Sequence, residues 1–134
     1  MAAAADARVV SDPQTGIAIS GFDPVSYFAA PHPELGRVDL EYALDGTVWC
    51  FRNAGNRAAF VAHPEVYAPQ FGGYDPVAIA RGVSVPGHPL IWLVKDQRLY
   101  FFYDAAARAA FAASADRIVA AARSRWPDVS QTLP

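Results

Sequence analysis

The residues with chemical reach are few: one thiol, Cys50, three histidines at 32, 63 and 88, and two aspartates that each precede a proline, Asp23 and Asp75. A thiol beside a base makes a nucleophile, and imidazole with carboxylate holds a transition metal or haem iron. Cys50 falls between Trp49 and Phe51 in a run that reads as a strand, where a free cysteine acts as a small buried hydrophobe. His32, His63 and His88 each precede a proline, which holds them extended. No two histidines have the i, i+4 spacing that puts two imidazoles on one helix face. His32 and His88 lie in similar connectors of two halves of the chain, so they are the histidines best placed to meet a ligand. Asp23-Pro24 and Asp75-Pro76 read as helix starts, because aspartate caps well and proline suits the first helical position. Tyr74, next to Asp75, is the aromatic closest to the seam expected between the halves. The ligand-pocket candidates are therefore Tyr74, Asp75, His88 and His32. No residue is assigned as catalytic or as a metal ligand.

The elements that position these residues repeat. Gly21-Phe22-Asp23-Pro24-Val25 returns as Gly73-Tyr74-Asp75-Pro76-Val77, 52 positions later. At a shift of 51, Trp49 meets Tyr100, Phe51 meets Phe102, Asn53 meets Asp104, Arg57 meets Arg108 and Phe60 meets Phe111. Each half begins with a short apolar helix, Val25–Phe28 and Val77–Ala80, and passes through a Pro/Gly-rich connector into a hairpin. In the first hairpin Leu40, Tyr42 and Leu44 alternate with polar residues up to the turn Asp45-Gly46, and Thr47–Arg52 returns. In the second, Leu90–Val94 leads to Leu99–Tyr103, apolar on both faces as in a strand covered on both sides. Asn53 and Asp104 then cap helices. Pro64 stops the first near His63, while helical spacing carries the second to Pro127. The paired arginines Arg57 and Arg108 read as solvated or stem-packing side chains, and a shared ion pair with Asp23 or Asp75 would also explain their repetition.

This pattern predicts an α+β fold: a single compact domain with one core, made of two tandem helix–β-hairpin–helix units by internal duplication. The units span 21–72 and 73–124 within a domain at 16–127. The lead 1–15 and the tail 128–134 carry no periodic pattern and are expected to be flexible.

At 134 residues, with 53% hydrophobic, 13% aromatic and 18% charged residues, the chain can bury a real core and is not of disordered composition. A net charge of -2 gives no basic field for phosphates, which argues against nucleic acid as a partner. A single cysteine excludes an intramolecular disulfide and any multi-cysteine zinc site. No apolar run reaches the length of about 18 residues needed to span a bilayer, so no membrane insertion is expected. The first residues lack the basic and apolar regions of a complete signal peptide. No phosphate loop, serine–histidine–acid set or carboxylate pair stands out. Hairpin edges leave room for a homodimer.

The motifs together resemble the YHS-domain family. They are Gly-Phe-Asp-Pro-Val-Ser-Tyr-Phe at 21–28, Asn-Arg-Ala-Ala-Phe at 56–60, and His-Pro-Glu-Val-Tyr-Ala-Pro-Gln-Phe-Gly-Gly-Tyr at 63–74, then Leu99-Tyr100 and Trp126-Pro127. The resemblance covers roughly residues 16–127, and the 63–74 run is its most specific part. It implies a small α+β domain of a kind often exported and linked to metal handling, so a periplasmic or exported setting is expected. The family's ligand is a cysteine directly after Gly-Gly-Tyr; here that position is Asp75. The function expected of such a chain is a non-catalytic YHS-like binding or accessory module whose thiol site is lost, with no cofactor. The alternative is a metal- or haem-binding protein that uses histidine and aspartate ligands.

Overall fold

Each half of the chain starts with an aspartate at the head of a short helix and then folds a hairpin back over it. The computed structural model describes residues 9–133. In order, it contains α1 (Ser26–Ala29), β1 (Arg37–Leu44), β2 (Thr47–Phe51), α2 (Ala54–Ala62), α3 (Pro64–Tyr67), α4 (Pro76–Ala80), β3 (His88–Lys95), β4 (Arg98–Phe102), α5 (Ala105–Ala113) and α6 (Ala115–Ser130). Helices and two small antiparallel sheets thus form a compact α+β arrangement, as the sequence predicts.

The two hairpins share one register. Tyr42 faces Trp49 and Arg37 faces Phe51, with a bulge between Arg37 and Glu41. Leu93 faces Tyr100 and His88 faces Phe102, with a bulge between His88 and Trp92. Both turns place two residues at positive φ, Asp45 (52°) with Gly46 (80°) and Asp96 (52°) with Gln97 (59°), the geometry that matches strand twist in a two-residue loop. Behind each hairpin a glycine lets the connector cross. The Gly36 N–H donates to the Gly21 carbonyl and the Gly87 N–H to the Gly73 carbonyl, both at 2.9 Å. A Cβ on Gly36 would stand 2.4 Å from the Cys50 carbonyl carbon, and one on Gly87 2.5 Å from the Phe101 Cβ. Only glycine fits at either crossing.

The closing helices start where expected. Asn53 accepts from the Asn56 N–H and Asp104 from the Ala107 N–H, both at 2.8 Å, which satisfies one otherwise unpaired donor at each helix start. α2 ends at His63, before Pro64. After a break at Ser114, α6 continues past the expected stop at Pro127 to Ser130. Proline removes one ladder hydrogen bond. Packing holds the last turn in place all the same, since Val129 and Ser130 are buried and Leu133 is nearly so. The tail from 128 is therefore part of the fold. The lead is tied down as well, from residue 9 onward. The Val10 N–H donates to the Gly72 carbonyl (2.8 Å), and Gly16–Ala18 bonds along β2 at Val48. Residues 1–8 lie outside the described residues.

Buried side chains form two clusters where one core is expected. Ile19, Tyr27, Trp49, Phe51 and Phe60 gather in the first, with Leu99 and Phe101. Phe71, Ile79, Tyr100, Phe102, Phe111, Ile118 and Val129 make the second. β4 is the shared wall. Its alternate residues enter opposite clusters and none is more than 4% exposed from Leu99 to Phe102. Period-two alternation explains why this strand is apolar on both faces. No helix among the described residues is long and apolar enough to cross a membrane.

Candidate functional site

Among the described residues, Asp23 and Asp75 are the most deeply buried carboxylates. Asp23 Oδ1 accepts from the Val25 N–H, and Oδ2 accepts from the Arg52 N–H and from Asn56 Nδ2, all at 2.8 Å. Asp75 Oδ1 accepts from the Val77 N–H (2.8 Å) and Oδ2 from the Tyr103 N–H (3.0 Å). Exposure is 0% for Asp23 and 3% for Asp75. Oδ1 of Asp75 caps α4 and Oδ1 of Asp23 holds the turn that leads into α1, while each Oδ2 catches the backbone at the end of the return strand. Arg57 and Arg108 form no ion pair with either; backbone N–H groups, and at Asp23 the Asn56 amide, satisfy the oxygens instead. The cap was legible from Asp-Pro. The second bond was not, because it links residues far apart in the chain.

The other candidates are not brought together. His88 is exposed, and its Nδ1 accepts from the Leu90 N–H at 3.0 Å. That bond fixes the tautomer with hydrogen on Nε2, so the outward nitrogen is a donor with no lone pair for a metal. His32 is exposed, with Nδ1 3.4 Å from the Pro33 carbonyl. Tyr74 is half-buried, its ring centroid 6.2 Å from that of Trp126. Among the described residues no three of histidine, cysteine, aspartate and glutamate are grouped so as to hold a metal.

Cys50 is 3% exposed, and burial followed by the charge of Glu41 pushes its thiol up from the ordinary value. Buried and protonated, it is a poor nucleophile. It does form the floor of a groove of about 580 Å³, with walls from Val10, Ile17, Ser20, Leu35 and Val38. A smaller hollow of about 320 Å³ adjoins it at Val10 and Ser20 and is lined by Pro86, Gly87, His88, Pro89 and Phe101. Between them runs a left-handed turn, Ile19 (φ 46°), Ser20 (φ 57°) and Gly21 (φ 81°). A β-branched residue in that region is a true outlier and costs on the order of 1–3 kcal/mol, which the buried Ile19 side chain offsets by packing in the first cluster. The groove is the feature that residue types did not announce. Its one sequence signal is that Cys50 stands where the second half has Phe101.

Compared with protein-family models, curated proteins and solved structures, the chain matches none.

Proposed function

We propose that this chain is a non-catalytic binding module of the YHS type, built from two copies of one unit, in which the family's metal-binding position has become structural. One observation carries the reading: both Asp75 oxygens accept backbone N–H groups in a nearly sealed site, and Asp23 repeats the arrangement at the counterpart position. A carboxylate so engaged serves the fold. Each Asp75 oxygen already accepts a backbone N–H, so a metal there would compete with the bonds to Val77 and Tyr103. Ligand contact then falls to the open groove over Cys50, where apolar walls and a few polar groups converge as small-molecule sites require.

The experiment is an absorbance titration of untagged protein with copper and with haem. A flat titration is expected with both. A saturable change that His88→Ala or His32→Ala abolishes overturns the proposal and establishes histidine ligation.

A further inference from the structure

We propose that the groove on the first hairpin is a binding site for a small phenolic amine: an aromatic ring with a hydroxyl at one end and a cation at the other. This deepens the binding-module reading and rests on it.

The second hairpin shows how its face holds a hydroxylated ring. Tyr27 comes from the first half, is 3% exposed, and donates its hydroxyl to the Pro89 carbonyl at 2.8 Å. Its ring lies 5.2 Å from Phe101 and 5.3 Å from Trp92 in an edge-on contact. Pro89 sits in the bulge between His88 and Trp92, where the ladder leaves backbone groups without a strand partner. Strand register gives every part of this site a counterpart on the first hairpin. Val38 occupies the place of Pro89 in the matching bulge, Cys50 that of Phe101, and Glu41 that of Trp92. The matching isolated bridges put Leu35 where Pro86 stands.

On this first face the floor residue is small, so the volume a phenylalanine ring fills at Phe101 is open over Cys50. Tyr27 has Ile79 as its own counterpart, and Ile79 is fully buried in the second cluster. Among the described residues, the chain therefore fills one copy of the site from within and leaves the other uncovered, with Leu35 61% and Val38 79% exposed. The charges select the rest of the ligand. Glu41 replaces an aromatic, faces Cys50 in the register, and its charge reaches the thiol. Asp12 lines the far side of the groove, and its bonds from the Gln14 and Thr15 N–H groups hold it ionised. The Asp12 carboxylate in the groove wall, with the Glu41 charge across the strand pair from Cys50, favours an ammonium and repels an anionic phenol.

The test is a titration of isotope-labelled protein with tyramine, followed by amide chemical shifts. Saturable shifts are expected at Gly36, Val38 and Cys50. Phenethylamine, which lacks only the hydroxyl, is expected to bind about fivefold more weakly, the worth of one net hydrogen bond. 4-Hydroxyphenylacetate should also bind more weakly, through repulsion by these carboxylates. Cys50→Phe should abolish the shifts by filling the floor. Leu35→Arg, at an exposed position that leaves the core intact, should weaken binding independently. Equal affinity for tyramine and phenethylamine overturns the inference while leaving the binding-module reading in place. Shifts located elsewhere, or undiminished in both variants, overturn it as well. Copper or haem uptake by the unaltered protein would strike the module reading instead.

Discussion

The Tyr27 hydroxyl donates to the Pro89 carbonyl at 2.8 Å across 62 positions of sequence, joining the helix of the first half to the bulge of the second hairpin. Removing the hydroxyl leaves that carbonyl without its donor. Tyr27→Phe is expected to lower stability by about 1–2 kcal/mol in urea denaturation, with the ring stacking retained. pH gives a second readout. Burial raises the Tyr27 pKa well above the ordinary 10.0. A raised folded-state value means that its contribution is complete below the unfolded value and is lost as pH climbs past it. Between neutral pH and about pH 11, the parent should therefore lose more stability than Tyr27→Phe. Parallel stability curves would show that the phenol is not held as described.

Asp23→Ala and Asp75→Ala should each cost about 2–4 kcal/mol, because every removed carboxylate leaves buried N–H donors unpaired. Asp23→Ala should be the worse of the two, since Asp23 serves three donors and Asp75 two. Chemical denaturation monitored by tryptophan fluorescence measures both. An Asp75→Ala variant within about 0.5 kcal/mol of the parent would remove the structural role assigned to this residue.

Much of this scaffold was legible in the sequence, for local reasons. Asp75-Pro76, Asp45-Gly46, Asn53, Asp104 and Pro64 each act within four residues of themselves and do what their types predict, whereas Asp23-Pro24 forms the turn before a helix that starts only at Ser26. The parts not legible depend on distant partners. Oδ2 of Asp75 finds Tyr103, Val10 finds Gly72, and β4 divides its side chains between two clusters. Pro127 misled for a similar reason: Val129 and Leu133 pack well enough to carry the helix through a residue that weakens it. Of the candidate site residues, Asp75 was placed correctly as a cap. The groove stayed hidden because an empty volume has no residue type of its own.

Gly36→Ala and Gly87→Ala should both destabilise by about 3 kcal/mol or more, since the added Cβ meets neighbouring backbone or Cβ atoms that have no side-chain freedom to yield. Thermal unfolding followed by circular dichroism is sufficient to see it. Unchanged melting of either variant would mean that the connector does not cross its strand as closely as the structure has it.

Cys50 should react with a thiol reagent about 100-fold more slowly in the folded chain than in denaturant, because only 3% of the residue is exposed at the groove floor and its thiol pKa is raised. Labelling kinetics at neutral pH decide this. Rapid native labelling would show an exposed thiolate and reopen nucleophilic chemistry at this position.

The central claim is that the carboxylate at 75 belongs to the fold and that the chain holds no resident transition metal. Elemental analysis of untagged protein, incubated with copper and zinc and then freed of unbound ions, tests it most directly. The account predicts less than about 0.1 equivalent of either metal per chain. One equivalent of copper or zinc, reduced in parallel by Asp75→Asn, would contradict it.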